Sequence, residues 1–345
     1  MSIQAESQLS VGATASKRLP GIQVLRAVAA LAVVVLHAQM VAERFSLMPP
    51  FISAAVGHFG KYGVDLFFVI SGFVITQTIL LHAPSAGAFF VRRAWRIVPL
   101  YALLTLLAFG IRMLTPAAWF VSPAPDIADL LLSITFLSGH NPIIGAGWTL
   151  EFEMFFYACA ALALGLAAKT PRVHWSSLAY ALAALAVIGQ FIPWIPSPLA
   201  TLLDPLLIEF VLGMIVAEFH VTRRLPAKKL VAALVAIAST WPDSGAVLWP
   251  GICSALLVLA AVRIGTATAA IWPVRLFAVL GDASYSIYLL QFFTLPLVGR
   301  MMFQAFDGRY PNVTLAAAVA ATLVAGWLCY RYIEQPILRW RPAHP

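Results

Sequence analysis

Long apolar stretches separated by short basic connections predict an all-α polytopic membrane protein, and three observations carry that prediction. Hydrophobic residues make up 61% of the 345-residue chain and charged residues only 10%, whereas soluble domains carry about 25% charged residues. Ten stretches approach the roughly 20 apolar residues that a helix needs to cross a bilayer. Lysines and arginines collect on alternate connections, as they do where short cytoplasmic loops retain positive charge.

The elements follow in order. Residues 1–19 are polar, with Lys17 and Arg18 just ahead of the first apolar stretch, and no small-residue cleavage pattern follows it. A retained first helix behind a cytoplasmic N-terminal tail is therefore expected, with one transmembrane domain over 20–341. Apolar segments lie at 22–42, 62–82, 97–115, 148–168, 176–196, 203–220, 229–241, 246–264, 276–298 and 312–332. A further candidate, 126–139, has only about 14 residues and suits a re-entrant or interfacial segment better than a crossing. Charge decides its treatment. If 126–139 does not cross, seventeen of the twenty-two Lys and Arg fall inside and five outside. If it crosses, eight fall inside and fourteen outside, against the positive-inside bias. About ten transmembrane helices follow, with both termini cytoplasmic and a bacterial inner membrane as the expected location. The connection 116–147 exceeds the usual unstructured length, so it is functional or locally folded.

The composition also excludes. A formal charge of +8 could attract nucleic acid, but the basic residues occur singly or in twos and threes between apolar runs, so no nucleic-acid partner is expected. Cys159, Cys253 and Cys329 sit inside apolar runs without ligand spacing, which argues against a disulfide framework or a metal site. Neither an internal repeat nor a phosphate-binding GxxxxGK[ST] or GxSxG motif is present.

The first apolar segment carries two residues foreign to lipid, Arg26 and His37. Eleven residues is almost three helical turns, so both share one face, roughly 16 Å apart along the axis. Ionisable groups inside a span are functional-site candidates because burying them is costly. Under the expected topology Arg26 lies near the inner surface and His37 toward the outer one. Asp65, Glu151, Glu153, Asp204 and Glu209 are then expected in the outer layer with His37. A histidine beside a carboxylate suits general-base activation of an alcohol, while the same carboxylates also suit structural bonds between helices. On the inner side, Arg93 and Arg96 stand at i and i+3 at a depth near Arg26. Three guanidiniums at one mouth suit phosphate groups, and equally suit anionic lipid or plain positive-inside bias. A polyanion site inside and a histidine outside match a phosphorylated donor with a long thin reactive arm, which is the shape of acyl-coenzyme A.

Six pieces in order, LRAVAALAVVVLHA (25–38), GVDLFFVISGF (63–73), RRAWRIVPLY (92–101), GWTLEFEMFFY (147–157), LGDASYSIYLLQFF (280–293) and YRYIEQP (330–336), resemble the membrane acyltransferase-3 family. Within it the chain is similar to exopolysaccharide O-acetyltransferases of the ExoZ type, chiefly through GWTLEFEMFFY. The resemblance implies His37 as the catalytic histidine, Arg26 as its companion, Arg93 and Arg96 as the basic pair near the donor, and Glu153 as the carboxylate of the W-S/T-L-x-x-E pattern. Thr149 stands where many members carry Ser, and Gln291 where many carry His.

The expectation is an integral membrane O-acyltransferase. It would take acetyl-CoA as donor substrate, with no cofactor, and acylate a hydroxyl of an extracytoplasmic sugar or polysaccharide alongside the polysaccharide assembly machinery. Asp65 and Glu153 are both candidates to orient His37, and general-base and acyl-histidine routes both stand. The rival from another class is a proton-coupled transporter, which also aligns buried charges through helices. It lacks support from repeated halves or paired broken helices.

Overall fold

The computed structural model describes residues 19–44, 54–114, 125–139, 141–169, 177–192, 199–239, 245–263 and 271–340, and the described residues contain helices but no strand. In chain order these are α1 (Pro20–Arg44), α2 (Ala54–His82), α3 (Ala86–Leu114), α4 (Ile127–Ile134), α5 (Gly147–Lys169), α6 (Leu178–Gly189) and a 3-10 turn (Leu199–Leu203). They continue as α7 (Leu207–Thr222), α8 (Ala227–Ser239), α9 (Gly245–Ala261), α10 (Trp272–Asp282), α11 (Ser284–Phe306), α12 (Pro311–Cys329), a π-helical turn (Tyr330–Glu334) and α13 (Gln335–Arg339). Among the described residues six helices are long and apolar enough to cross a membrane: α1, α2, α3, α5, α11, and α12 continued through α13. The expected segment 276–298 is divided at Ala283 between α10 and α11. The segment 126–139 forms α4, eight residues long, which at about 1.5 Å per residue is far too short to span. Its start is fixed by a reciprocal cap, the Asp129 N–H donating to Asp126 at 2.8 Å and the Asp126 N–H donating to Asp129 at 2.9 Å.

Helix α1 is the hub. It packs against α2, α9, α10, α11 and α12, and its buried face is made of small residues, Ala27, Ala29, Ala30, Val33, Val34 and Ala38. Small side chains let neighbouring backbones come close, which is how helices gain dispersion contacts where no water drives them together. A close crossing of this kind joins α2 to α7. A Cβ on Gly213 would stand 2.8 Å from the Phe73 backbone nitrogen and 3.0 Å from the Gly72 Cα, so the two backbones touch where both residues are glycine. Around that crossing, Phe68, Phe152, Phe156 and Phe210 pack ring to ring at 4.5–5.5 Å and tie α2, α5 and α7 into one core. At the end of α7, Glu218 pairs with Lys229 of α8.

The crossing makes a direct prediction. Gly213→Ala forces backbone against backbone, and overpacking of this kind costs about 1–3 kcal/mol. Thermal unfolding of the purified variant in detergent is expected to show a lowered midpoint, and Gly213→Leu is expected not to accumulate as folded protein.

Candidate active site

Two polar side chains anchor Arg26 inside the bundle. Its guanidinium donates to the Ser284 hydroxyl at 2.9 Å and to the Gln23 amide oxygen at 3.2 Å. Ser284 opens α11, and eight residues on, Phe292 packs its ring 4.9 Å from that of His37. Helices α1 and α11 therefore run side by side in the same direction, with Arg26 and Ser284 at one end and His37 and Phe292 at the other. Both of the residues that α1 contributes face α11.

Arg26 lines a cavity of about 190 Å³ that also takes in Arg93, Arg96, Glu153, Tyr157, Ser71, Thr149 and Tyr288. The structure thus brings together Arg26, Arg93, Arg96 and Glu153. Beside these charged groups the cavity lining includes the apolar side chains of Val64, Phe67, Phe68, Val74 and Ile75. Arg93 and Arg96 also line a second, wider cavity of about 530 Å³, together with Arg92, His82 and Trp95. The two spaces meet at that arginine pair. Trp95 is fixed as a wall of the outer space because its indole N–H donates to the Ile337 carbonyl of α13 at 2.9 Å. Arg93 donates to Thr78 at 3.2 Å, and its guanidinium lies about 6 Å from the Phe89 and Tyr157 rings.

Glu153 belongs to this arginine layer. Its carboxylate accepts from the Ser71 hydroxyl at 3.3 Å and from the Tyr157 hydroxyl, and it acts electrostatically on Arg26 and Arg93. The sequence reading put it at the depth of His37. The difference arises because α5 begins already at the level of His37 and Phe292. Gly145, two residues before α5, already lies against the Phe292 ring with no room for a Cβ, so Glu153 comes about two turns deeper. Glu151 is buried on another face, where it accepts from the Ser138 N–H at 3.0 Å and from the Ser138 hydroxyl. It holds the folded connection ahead of α5. That connection is locally ordered over its described part, since the Ile143 N–H also donates to Ser133 of α4 at 3.0 Å.

His37 lies outside the lining of both cavities. Its Nδ1 is 3.0 Å from the Val33 carbonyl, which can only accept, so Nδ1 carries the proton and Nε2 keeps its lone pair. The Gln291 side chain reaches the ring from α11. Neither carboxylate proposed to orient His37 is brought to it: Glu153 bonds Ser71 and Tyr157, and Asp65 faces Glu209 across the α2–α7 contact. Glu209 is 2% exposed, and Asp204 is committed to the Leu206 N–H at 2.8 Å.

Several site residues went unassigned in the sequence. Glu334, 2% exposed, projects from the π-helical turn, accepts from Ser286 at 2.6 Å and acts on Arg26 and Arg96. The turn inserts an extra residue, which swings Glu334 inward. Its signal was available in YRYIEQP, as were Ser284, Ser286 and Tyr288 in SYSIYL.

Comparison with known proteins decides the family. A family model described as an acyltransferase domain, acyltransferase 3, matches residues 19–331. The chain belongs to the acyltransferase-3 family. It is 32% identical to the exopolysaccharide production protein ExoZ of Rhizobium meliloti, over 81% of this chain and 90% of that protein. It is 28% identical to the acyltransferase MdmB of Streptomyces mycarofaciens, over 93% and 92%. A Staphylococcus aureus protein provisionally named an O-acetyltransferase is 22% identical over 94% of this chain and 59% of its own length. No solved structure matches. The protein is thus an acyl-transferring membrane enzyme.

The two neighbouring glutamates should separate on mutation. Glu151→Leu removes the acceptor of the part-buried Ser138 N–H and is expected to lower stability by about 1–3 kcal/mol, read as a fall in thermal midpoint. Acyl transfer by the fraction that remains folded is expected to match the unmutated protein.

Proposed function

We propose that the chain is an O-acetyltransferase that carries an acetyl group from cytoplasmic acetyl-CoA to a sugar hydroxyl of a cell-surface polysaccharide. What carries the reading is the convergence of Arg26, Arg93 and Arg96 on one cavity, at one end of the helix that holds His37. In this reading the chain crosses a bacterial inner membrane about ten times, the shorter helices α6, α7, α8 and α9 included, and both termini are cytoplasmic. The seventeen-to-five charge bias supports that orientation.

Coenzyme A fits the space in three parts. Its phosphates meet Arg26, Arg93 and Arg96, whose forked donors match phosphate oxygens. Its nucleotide end occupies the wider vestibule against Arg92, His82 and the Trp95 indole, which offers a stacking face. Its thin arm follows the apolar corridor of Val64, Phe67 and Phe68. The corridor ends where Thr149 and Tyr288 hydrogen-bond at 2.8 Å, so the thioester passes that pair to reach His37. Glu153 and Glu334 act as counter-charges that offset the mutual repulsion of the arginines when the donor is absent.

His37 Nε2, bare because Nδ1–H is given to Val33, takes the proton of the acceptor hydroxyl. The hydroxyl oxygen attacks the thioester carbonyl, the carbon–sulfur bond breaks, and the departing thiolate recovers the proton from His37. Acetate ester and free coenzyme A result. The same bare Nε2 supports attack by His37 itself and a transient acetyl-histidine, a second route that trapping labelled acetyl on His37 distinguishes. The polysaccharide assembly machinery supplies the acceptor in either route.

Two measurements test the reading. Cells carrying His37→Ala at normal protein level are expected to lose O-acetyl groups from surface polysaccharide, whereas normal acetylation would remove the proposal. Arg93→Gln and Arg96→Gln are each expected to raise the KM for acetyl-CoA about tenfold or more, since a hydrogen bond to a charged group contributes about 1.5–3 kcal/mol.

A further inference from the structure

Ser284, Tyr288 and Phe292 recur every four residues in α11, so they share one face of that helix. The first accepts from Arg26 at 2.9 Å, and the last sets its ring 4.9 Å from that of His37. Tyr288 stands between them, about 6 Å along the helix from each. Its ring lies 6.0 Å from that of Phe67. Tyr288 and Thr149 both line the arginine cavity, although they are only 7% and 6% exposed. The Thr149 hydroxyl is 2.8 Å from the Tyr288 hydroxyl and 3.0 Å from the Ala146 carbonyl.

Two hydrogen arrangements fit those distances, because hydroxyl hydrogens turn to suit their partners. In one, Tyr288 donates to Thr149 and Thr149 donates to the Ala146 carbonyl. In the other, Thr149 donates to Tyr288, which leaves the tyrosine O–H free for an acceptor inside the cavity. The exchange gives up the bond to Ala146 and gains one to that acceptor, so the number of hydrogen bonds is kept. Three other hydroxyls of the lining lack this freedom. Ser71 and Tyr157 donate to the Glu153 carboxylate, and Tyr285 donates to the Ile97 carbonyl at 2.7 Å. Those acceptors have no hydrogen to give in return.

We infer that Tyr288 is a catalytic residue: its O–H donates to the acyl carbonyl oxygen of the thioester, with Thr149 as the positioning residue that backs and re-aims it. This deepens the proposed function and rests on its donor and on His37 as the base. As the sugar hydroxyl oxygen bonds to the carbonyl carbon, the carbonyl electron pair moves onto oxygen. Tyr288 hydrogen-bonds the resulting oxyanion without giving up its own proton. The electron pair then returns, the carbon–sulfur bond breaks, and the thiolate takes the proton held on His37. A donor aimed where charge develops favours the transition state over bound substrate, so it acts on turnover and not on donor affinity.

The test uses the purified full-length chain, acetyl-CoA and de-O-acetylated host polysaccharide, with released thiol as the readout and kcat expressed per coenzyme A binding site. Tyr288→Phe keeps the ring and removes the donor; it is expected to lower kcat about a hundred- to a thousandfold with an unchanged KM for acetyl-CoA. The infrared carbonyl band of bound, isotope-labelled acetyl-CoA is expected at lower frequency in the unmutated chain than in Tyr288→Phe. Thr149→Ser keeps the positioning hydroxyl and is expected to stay within a few-fold of the unmutated chain. Thr149→Val keeps the size alone and is expected to lower kcat about fivefold or more. Counting only sites that bind coenzyme A removes misfolded protein from each value, and if Tyr288→Phe does not fold, the Thr149 pair decides alone. Unchanged kcat or an unmoved carbonyl band in Tyr288→Phe, or equal kcat in the Ser and Val variants, would overturn the inference. His37→Ala run in parallel separates the two readings: if it is inactive while Tyr288→Phe is normal, only the Tyr288 role fails, and if it is active, the base assignment fails with it.

Discussion

A guanidinium held inside an apolar helical bundle is the constraint on which the rest of this structure depends. Leaving such a charge without partners in a membrane would cost more than most packing contacts return. Arg26 is therefore surrounded by groups drawn from distant parts of the chain: Gln23 one turn before it, Ser284 at the start of α11, and the carboxylates of Glu153 and Glu334. Satisfying it requires α11 to begin beside the start of α1 and the last helix to carry a π-helical turn that directs Glu334 inward. The parallel course of α1 and α11 follows, and with it the placement of Gln291 and Phe292 against His37. One buried charge thus ties together the helices around it.

The polar groups separate into layers with distinct tasks. Arginines and their counter-charges line one cavity, and His37 with Phe292 lies outside it toward the other end of α1. Carboxylates that look alike in sequence divide among these layers. Glu151 fastens a connecting segment, Glu153 balances arginines, and Asp65 faces Glu209 at the α2–α7 crossing. The rings of Phe68, Phe152, Phe156 and Phe210 pack together behind the cavity wall to which Phe68 contributes.

Much of this was legible in the chain, and the reasons differ by residue. Arg26 and His37 stood out because helical periodicity aligns them on one apolar helix, and Arg93 and Arg96 because i,i+3 spacing pairs them. The three arginines meet on one cavity, whereas His37 lies outside its lining. The depth of Glu153 was misread because position along a segment equals depth only when the helix starts at the membrane surface, and α5 starts within the bundle. The division of 276–298 at Ala283 was hidden because both halves are apolar. Asp65 was linked to His37 by shared depth, yet depth does not fix the face of a helix, and Asp65 turns toward α7.

The central claim is that the stripe from Arg26 to His37 is the path from donor to acceptor. The most direct test is an experimental structure of the chain with a non-hydrolysable acetyl-CoA analogue. The account predicts phosphate oxygens within hydrogen-bond distance of Arg26, Arg93 and Arg96, and the acetyl end directed past Tyr288 toward His37 Nε2. A donor bound away from the three arginines, or with its acetyl end pointing out of the corridor, would contradict it.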